Sequence, residues 1–421
     1  MEHSRVLVVG GGFAGIQAVT ALTKRVPGAD ITLVDRNGYA TMVPALPDVL
    51  SGRVALDALT RPLSDVVAPS VTVAVDEVQG IDLDQRSVSA RAGTYNYDYL
   101  VLAHGSGPRF FGFEPEDGTL HTVHTLERAT AFRTALEARF RQNPDASVVI
   151  VGAGYTGLEV AACLSVGLRD TEVRAHITIV ELADTILSFL TQKERSRIVE
   201  YFESIGVEIR TGTSLTRFSG GTAELSDGTR IEDALVCWSA GMQAVPTEVS
   251  GAVDRTSDGR LISNEYLQLP AYPEVLAAGD MAALQKDGRS VRRAVNFAYY
   301  SGRRAGENVA AAISGKPPKA FRPVDLGWVI PLGEESVGRV FGALRVGGSL
   351  GLRMHYAMCA FRHFGGAEAG EFYKTSARLR RSPQPLAVPR DPATGSPGHS
   401  GGTDRPDSVG ESGSPPGGGV G

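Results

Sequence analysis

The chain has 421 residues, and its 42 lysines and arginines against 47 aspartates and glutamates give a formal net charge of −5. This length allows two or three domains with substantial cores, and the charge gives no reason to expect a nucleic-acid partner. The three cysteines, Cys163, Cys237 and Cys359, lie far apart and form no CxxC pair. We therefore expect no metal site and no dithiol relay. The cysteine usage is typical of a reduced, cytosolic chain. Only residues 1–4 precede the first apolar run, and no apolar run reaches about 18 residues, so we expect no signal peptide and no membrane-spanning helix.

A glycine-rich turn follows the first apolar run of the chain. The run that begins at Val6 predicts a strand, Gly10, Gly12 and Gly15 have GxGxxG spacing, and the next residues are compatible with a helix. Such glycines permit a tight turn and a close approach to a pyrophosphate, and the helix N-terminus offers free N–H groups. Asp35 closes the next predicted strand, where a carboxylate accepts hydrogen bonds from a ribose. This pattern predicts a dinucleotide site, although a lone motif of this kind also occurs without a ligand.

The chain then continues with a proline-containing loop at 37–52 and with residues 71–90, which alternate as strands and predict a small antiparallel meander. Residues 97–104 predict a buried strand that ends at Gly105, where backbone can approach a cofactor. An apolar face at 126–142 predicts a helix.

The opening pattern recurs about 140 residues later. Residues 148–151 predict a strand, Gly152, Gly154 and Gly157 repeat the spacing, and Glu181 closes the following strand. Two copies of one motif, each closed by an acid, predict two dinucleotide sites.

The second half of the chain predicts an amphipathic helix at 191–205, short strands at 207–240 and a last apolar strand at 275–278 that meets Gly279 and Asp280. Residues 292–312 predict a helix that completes the first site from a distant part of the chain.

Five sequence motifs occur in this order along the chain: VLVVGGGFAG, YDYLVLAHGSG, VVIVGAGYTGLEVA, WSAG and VLAAGD. Over roughly residues 5–365 the chain resembles the two-dinucleotide flavoprotein disulfide-reductase superfamily, and within it the type II NADH dehydrogenases, which pass electrons from NADH to a membrane quinone. The resemblance implies an α/β fold with two nested Rossmann-type three-layer domains and a small C-terminal region. The implied parts are an FAD domain at 1–120 and 260–320, an NADH domain at 121–259 and an acceptor and membrane-docking region at 321–381. Residues 382–421 are rich in Gly, Pro and Ser and predict a disordered tail.

The resemblance also implies the cofactor residues. Asp35 would bind the adenosine ribose of FAD, Pro44 would lie against the flavin, Val78 would lie near the adenine, and Glu159 would lie near the nicotinamide. The FAD set is Gly10, Gly12, Phe13, Ala14, Gly15, Asp35, Pro44, Val78, Gly105 and Asp280, and the NADH set is Gly152, Gly154, Gly157, Glu181 and Gly241.

A separate physical reason favours NADH over NADPH. Glu181 at the strand end would repel a 2′-phosphate, and the next three residues supply no cation. Arg174, which precedes the strand, could fold back and weaken this preference.

The absence of paired cysteines leaves direct reduction of a diffusible acceptor by the flavin. The relatives usually carry an alanine-glutamine pair and a second glutamine on the helix after the Gly-Asp motif, and this chain does not. Asn296 and Tyr300 are the candidate donors to a quinone carbonyl, although Tyr299 and Tyr300 could instead pack in the core. Arg292 and Arg293 could stabilise a reduced flavin or simply be solvated. Sulfide oxidation would need cysteines at the flavin.

Residues 339–381 contain eight lysines and arginines against two glutamates, a local charge of +6. Residues 350–364 predict a basic amphipathic helix, which can lie in an anionic membrane surface. The alternative is a helix docked on the flavin domain or on a second subunit of a homodimer. The apolar stripe of the predicted helix at 350–364 comprises Leu350, Met354, Ala357, Met358, Phe361 and Phe364, with His355, Arg362 and His363 away from it.

The sequence thus predicts an FAD-dependent NADH dehydrogenase that reduces a menaquinone-like quinone. The expected location is cytoplasmic, peripherally associated with the inner face of the cell membrane. Its expected catalytic residues are Glu159, Asn296 and Tyr300, and no metal is expected. The alternatives are a soluble NAD(P)H-dependent flavoprotein reductase of another acceptor and a slow-turnover, NADH-responsive regulatory flavoprotein.

Overall fold

The computed structural model of the chain describes residues 4–116, 119–286, 288–381, 384 and 386–388. The strands are β1 Arg5–Val9, β2 Asp30–Asp35, β3 Tyr39–Thr41, β4 Thr60–Pro62, β5 Thr72–Val75, β6 Val78–Asp82, β7 Ser87–Ala90, β8 Thr94–Asn96, β9 Tyr99–Leu102, β10 Ser106–Pro108, β11 Ser147–Val151, β12 His176–Glu181, β13 Val207–Thr211, β14 Leu215–Ser219, β15 Thr222–Leu225, β16 Arg230–Ile231, β17 Ala234–Trp238, β18 Met242–Ala244, β19 Glu248–Ser250, β20 Gln268–Leu269, β21 Tyr272–Ala277, β22 Gln285–Lys286, β23 Arg289–Ser290, β24 Gly327–Leu332, β25 Glu335–Val340 and β26 Leu344–Gly347.

The α-helices are α1 Phe13–Arg25, α2 Asp48–Ser51, α3 Leu63–Val66, α4 Leu126–Gln142, α5 Tyr155–Leu168, α6 Gln192–Ser204, α7 Val295–Ile313, α8 Gly348–Phe364 and α9 Gly366–Arg381. Short 3₁₀ helices span Val43–Ala45, Leu56–Leu59 and Gly279–Met281. In the described part of the chain, none of these helices combines the length and the apolar character needed to cross a bilayer.

A six-stranded sheet in the order β20-β21-β9-β1-β2-β5 forms the centre of the first domain. β1 pairs in parallel with β2 and β9, so that Val9 lies opposite both Val34 and Leu102. Four of the five residues of β1 are buried, because both faces of a parallel sheet are covered. The carboxyl ends of these strands therefore meet at one edge.

Helix α7 packs directly on α1, although nearly 300 residues separate the two in sequence. A Cβ atom on Gly302 would lie 2.0 Å from the Ala14 carbonyl oxygen, and one on Gly306 would lie 2.2 Å from the Ala18 carbonyl oxygen. Only glycine permits this approach of the two backbones, and it places the start of α7 beside the first glycine-rich turn.

The second domain has a parallel four-stranded sheet in the order β13-β12-β11-β17, with α5 following β11. β11 pairs with both β12 and β17 and repeats the arrangement of β1 in the first domain. The predicted α/β class with two Rossmann-type sheets is confirmed.

Two features of the first domain differ from the sequence prediction. The strand at Thr72–Val75 pairs in parallel with β2 and extends the main sheet, so the predicted antiparallel meander at 71–90 is wrong for its first strand. Residues 72–75 form backbone hydrogen bonds with the free edge of β2, which explains the parallel pairing. The antiparallel pairs are β6–β7 and β7–β8, and Glu248–Ser250 joins them beside β6, before the predicted return at residue 260.

The C-terminal region is an antiparallel sheet of β24, β25 and β26 followed by α8 and α9. Helix α8 carries apolar side chains on its exposed face as well as on its buried face. Leu350, Met354 and Phe361 are exposed, whereas Phe364, predicted on the same stripe, is buried. Phe364 turns inward because its ring packs near Phe372 of α9, at a centroid distance of 6.4 Å.

The start of the predicted disordered tail is packed. The Gln384 N–H donates to the Gly52 carbonyl at 2.9 Å, and the Ala387 N–H donates to a Glu137 carboxylate oxygen at 3.0 Å. Leu386 is buried, because this short apolar segment finds a partner surface that composition alone does not reveal. The rest of residues 382–421 lies outside the described residues.

Candidate functional site: two dinucleotide turns

The first glycine-rich turn is built around backbone contacts that exclude a side chain. Gly10 has a φ of +106°, and a Cβ atom there would lie 2.5 Å from the Ala103 carbonyl oxygen. A Cβ atom on Gly15 would lie 1.7 Å from the Gly10 oxygen. Gly12, by contrast, faces open space and caps α1 without a side-chain hydrogen bond. The first N–H groups of α1 therefore lack a capping side chain and can bind an anion.

Asp35 closes this turn from the end of β2. Its carboxylate accepts a 2.6 Å hydrogen bond from the Gly11 N–H and a 2.7 Å hydrogen bond from the Asn37 N–H. Burial raises the pKa of Asp35, while the two hydrogen bonds oppose that shift. The Asp76 N–H donates to the Asp35 carbonyl, which sets half-buried Val78 just beyond the same strand end.

The second turn repeats this construction. Gly152 has a φ of +103°, and a Cβ atom on Gly157 would lie 1.9 Å from the Gly152 carbonyl oxygen. Gly154 faces open space and caps α5 without a side-chain hydrogen bond. The Glu181 carboxylate accepts a 2.8 Å hydrogen bond from the Ala153 N–H.

Both turns fit a dinucleotide. Gly12 and Gly154 leave space on the side where a pyrophosphate approaches, and each uncapped helix N-terminus can bind phosphate. Carboxylate oxygens accept more than one hydrogen bond, so Asp35 and Glu181 can bind a ribose hydroxyl beside their backbone donors.

A two-stranded link holds the two sites together. β10 and β18 pair antiparallel, with Gly107 opposite Gln243, and the Val245 N–H donates to the Gly105 carbonyl at 3.2 Å. Gly105 has a φ of +78° and open space beside it. Gly241, expected in the second site, lies one residue before β18, and the Phe111 ring covers it. Gly105 and Gly241, which are expected at different cofactors, therefore lie at opposite ends of one pair of strands.

Asp280 lies at the carboxyl end of β21, within the edge that carries the first turn. The Ser106 hydroxyl donates to its carboxylate at 2.7 Å, and burial raises the pKa of Asp280. The Ser301 hydroxyl of α7 accepts a 2.9 Å hydrogen bond from the Gly279 N–H. These contacts fix the Gly-Asp pair between β10 and α7.

Helix α8 closes the first turn from the other side. Phe13 is buried and stacks on His363, with ring centroids 4.0 Å apart. Burial lowers the pKa of His363 to about 3, so its imidazole is neutral at physiological pH. Pro44 is half-buried in a 3₁₀ helix that α8 also contacts, and the backbone of Ala14 lies under Gly302.

Glu159 is half-buried on α5, one turn after the second motif. Burial raises its pKa well above the usual range, and the nearby Asp48 adds to that shift while Arg53 opposes it. This shift favours the protonated form of the carboxyl group, so Glu159 is a candidate general acid.

The predicted acceptor residues are placed differently from expectation. The Asn296 amide is buried and donates to the Val324 carbonyl, and its role as a donor to a quinone stays a prediction. Its Oδ1 atom is buried without a hydrogen-bond partner among the described residues. Tyr300 is half-buried, packs edge-on against Tyr299, and lies under the Arg362 guanidinium at 5.7 Å. The tyrosines thus form a cation–π contact.

Arg292 and Arg293 are half-buried and lie beside carboxylates. Arg292 pairs with Asp325, and Arg293 lies 3.0 Å from the Asp258 carboxylate. Their action on a reduced flavin stays a prediction.

All three cysteines of the chain are buried and free. Burial raises the pKa of Cys237 and of Cys359 to about 12. Cys163 is not in an apolar setting, because its sulfur lies 3.5 Å from Arg53 Nη2.

Sequence reasoning missed the buried group of Asp48, Arg53 and Tyr356, as well as the His363 stack. Asp48 and Arg53 form an ion pair, and the Tyr356 hydroxyl donates to Asp48. The only signal was two opposite charges within an apolar loop, which does not indicate burial.

Comparisons with known proteins agree with this geometry. The family described as pyridine nucleotide-disulphide oxidoreductase matches residues 4–305. The type II NADH:quinone oxidoreductase of Staphylococcus saprophyticus is 26% identical over 367 residues, covering 81% of this chain and 90% of that protein. The protein of the same name from Staphylococcus aureus is 26% identical over 373 residues, with the same coverage.

Solved structures share the fold. NDH2 from Plasmodium falciparum in complex with NADH has a TM-score of 0.77 at 13% identity, covering 91% of this chain and 100% of that chain. The sulfide:quinone oxidoreductase from Aquifex aeolicus has a TM-score of 0.73 at 19% identity, covering 86% and 92%. With its sequence match and its two linked dinucleotide turns, the chain belongs to the pyridine nucleotide-disulphide oxidoreductase family.

Proposed function

We propose that this chain is an FAD-dependent NADH:quinone oxidoreductase that works at a membrane surface. The link between β10 and β18 carries the proposal, because Gly105 of the first dinucleotide site lies at one end of the paired strands and Gly241 of the second lies at the other end. Two dinucleotides bound to the turns would have their reactive ends on facing sides of this link. The names of the curated relatives support the same activity.

FAD in the first site would accept a hydride from NADH and pass two electrons to the acceptor. The chain contributes binding and orientation. The N-termini of α1 and α5 bind the two pyrophosphates, and Asp35 and Glu181 bind the riboses. Glu159 lies one turn into α5, where burial raises the pKa of its carboxyl group, and it supplies a proton to the acceptor as the acceptor gains negative charge.

Glu181 selects NADH over NADPH. Its carboxylate is fixed by the N–H groups of Ala153 and Ala183, at 2.8 and 3.0 Å, so it cannot turn away from a 2′-phosphate. Arg174 is exposed and lies before β12. A negative charge at this position disfavours the more anionic dinucleotide.

The acceptor is a quinone that reaches the first site from the side of α8. The chain has no cysteine pair, so electrons leave the flavin directly. Arg362 is buried, and its guanidinium contacts the rings of Tyr299 and Tyr300 at 5.6 and 5.7 Å. A cation held by aromatic rings next to the stacked Phe13 and His363 is suited to a flat acceptor that gains negative charge. A menaquinone-like molecule has this chemistry.

The membrane contact is an apolar rim, which we define as the exposed side chains of Phe341, Leu344, Leu350, Met354 and Phe361. Phe341 is 74% exposed, Leu350 75% and Phe361 62%, and all lie on the β25–β26 hairpin or on α8. Arg345 and Arg353 are exposed on the same two elements. Apolar side chains flanked by cations are suited to an anionic bilayer surface.

Steady-state oxidation of NADH by the FAD-reconstituted protein tests the proposal, with a menaquinone analogue compared with ferricyanide and with oxygen. We expect the quinone to be reduced at least as fast as ferricyanide, and oxygen slowly. Rapid ferricyanide reduction without quinone turnover would instead favour a soluble reductase. A protein that binds no FAD would overturn the assignment of the first site.

A further inference from the structure

A buried polar cluster connects the loop after β3, helix α5 and helix α8. Asp48 and Arg53, 1% and 2% exposed, form its ion pair. The Tyr356 hydroxyl of α8 donates to the second Asp48 oxygen. The Cys163 sulfur of α5 lies 3.7 Å from Asp48 Oδ1, the oxygen that pairs with Arg53. A buried ion pair is tolerated only when its remaining hydrogen-bonding groups are also satisfied, and here the cluster spans three parts of the chain.

Arg53 is satisfied on every side. Its Nε donates to the Ser51 hydroxyl at 3.0 Å, one Nη donates to the Gly333 carbonyl, and the other donates to Asp48. Although burial opposes the charge on Arg53, the adjacent Asp48 carboxylate keeps the pKa of the guanidinium above its usual range. The cation is therefore permanent.

Glu159 lies one helical turn before Cys163 on α5, so both side chains project from the same face of that helix. The backbones of α5 and α2 approach closely there, because a Cβ atom on Gly167 would lie 2.0 Å from the Leu50 carbonyl oxygen. Because Cys163 contacts Asp48 at 3.7 Å, Glu159 lies one turn of α5 away from the Asp48–Arg53 pair.

The other titratable groups around Glu159 are neutral at physiological pH. On α8, burial lowers the pKa of His355 to about 4, raises that of Cys359 to about 12 and raises that of Tyr356 well above its usual range. On α6, burial raises the pKa of Tyr201 to about 12, and at the start of α5 burial raises that of Tyr155 well above its usual range.

The remaining charges near α5 lie at its two ends. At its start, Arg292 lies beside Tyr155 and pairs with Asp325. At its far end, Arg169 and Glu334 form an exposed ion pair, which solvent screens, and Glu335 is exposed. Burial raises the pKa of the Cys163 thiol well above its usual range, so this neighbour is also neutral. Among the described residues, Asp48 and Arg53 are the charged groups that act on Glu159.

We propose that Asp48, Arg53 and Tyr356 are positioning residues that control when Glu159 releases its proton. The inference rests on the proposed function, in which Glu159 is the acid of the reaction. Asp48 favours the protonated form of Glu159 by like-charge repulsion, and Arg53 favours the ionised form. The Tyr356 hydroxyl partly neutralises Asp48, so helix α8 at the acceptor side contributes to the protonation of a residue on the nicotinamide side.

Two substitutions move this balance in opposite directions. Asp48→Asn removes the negative charge and leaves Arg53, so Glu159 should ionise more easily, with its titration midpoint lowered by about one pH unit or more. Tyr356→Phe removes the donor from Asp48, so Glu159 should ionise less easily and its midpoint should rise. Tyr97→Phe is the matched control, since it removes a buried hydroxyl that has no hydrogen-bond partner among the described residues.

The measurement is an infrared pH titration of the full chain, which follows the carbonyl stretch of protonated carboxyl groups. The Glu159 band is identified by its absence in Glu159→Gln made in each background. Opposite shifts in the two variants, with no shift in Tyr97→Phe, are expected. Shifts in the same direction, or no shift, would overturn the inference. If Asp48→Asn does not fold, an unchanged Glu159 titration midpoint in Tyr356→Phe is sufficient to overturn the inference.

Failure of the proposed function has a different signature. A wild-type Glu159 band that titrates in the ordinary range of an exposed glutamate would remove this residue from the reaction, whatever the variants do. A high wild-type midpoint that disappears in Glu159→Gln but does not move in the other variants would leave the acid in place and overturn only the network. The pH profile of quinone-dependent NADH oxidation should move in the same direction as the infrared midpoint.

Discussion

The Asp35 carboxylate accepts a 2.6 Å hydrogen bond from the backbone N–H of Gly11, which ties the end of one strand to the turn after its neighbour. Glu181 and Ala153 have the same relationship in the second domain, at 2.8 Å. Each carboxylate thus fixes its glycine-rich turn before any dinucleotide binds. This preorganisation reduces the conformational cost of binding.

Gly12→Ala should weaken FAD binding while the fold is kept. A Cβ atom at this position meets no protein atom, so it occupies only the space where a pyrophosphate approaches. We expect the dissociation constant for FAD to rise about tenfold or more, which corresponds to about 1.4 kcal/mol. Flavin fluorescence titration measures it. In Gly15→Ala the added Cβ atom would lie 1.7 Å from the Gly10 oxygen, so this variant should instead lower the melting temperature.

Glu181→Ser should shift nucleotide preference toward NADPH. The substitution removes a negative charge from the position where a 2′-phosphate would lie, and the hydroxyl can still bind the ribose. We expect the ratio of kcat/KM for NADPH to that for NADH to rise about tenfold, or about 1.4 kcal/mol. Steady-state kinetics with ferricyanide as acceptor keeps the quinone step out of the measurement. An unchanged ratio would mean that Glu181 does not contact the adenosine ribose.

Replacing Leu350 and Phe361 together by serine should weaken binding to anionic lipid vesicles. Both side chains are exposed in the apolar rim, and burying a side chain of this size gains roughly 1.5–3 kcal/mol. We expect vesicle partitioning to fall at least about tenfold, as measured by co-sedimentation. The matched control is Val75→Ser, which removes a side chain of 61% exposure from β5 of the first domain. Equal loss in the control would argue against a specific surface.

His363 should make the protein less stable in mild acid. Burial lowers its pKa to about 3 in the folded state, against about 6.5 in the unfolded chain. Below about pH 6.5 the unfolded state binds a proton that the folded state does not, so stability falls as the pH falls, by about 1.4 kcal/mol per pH unit. The stability is fully present above about pH 6.5.

Urea unfolding of wild type and of His363→Leu between pH 7 and pH 4 measures how the free energy of unfolding depends on the protonation of His363. The variant removes the titrating group and keeps an apolar side chain in the stack with Phe13. The wild type should lose more free energy of unfolding than the variant over this range, by about 1.4 kcal/mol per pH unit below about pH 6. Parallel curves would show that His363 binds a proton equally in both states.

The two glycine-rich turns were predictable from the sequence alone. Gly10, Gly12 and Gly15, and their second copy, are local signals, because strand, turn and helix follow one another within about 30 residues. The carboxylates Asp35 and Glu181 were found for the same reason, since each closes the strand that pairs with the motif strand. The α/β class followed from the alternation of strands and helices.

The surroundings of the dinucleotide turns depend on the tertiary fold. Asp48, Cys163 and Tyr356 come from three separate parts of the chain, and no spacing in the sequence reveals that they meet. The sequence also did not show that the Val324 carbonyl lies beside the Asn296 amide. Burial sets the charge of a group and packing selects its partners, and both depend on residues hundreds of positions away. The chemistry of the turns is therefore local, whereas the path of protons and the shape of the acceptor side are properties of the whole fold.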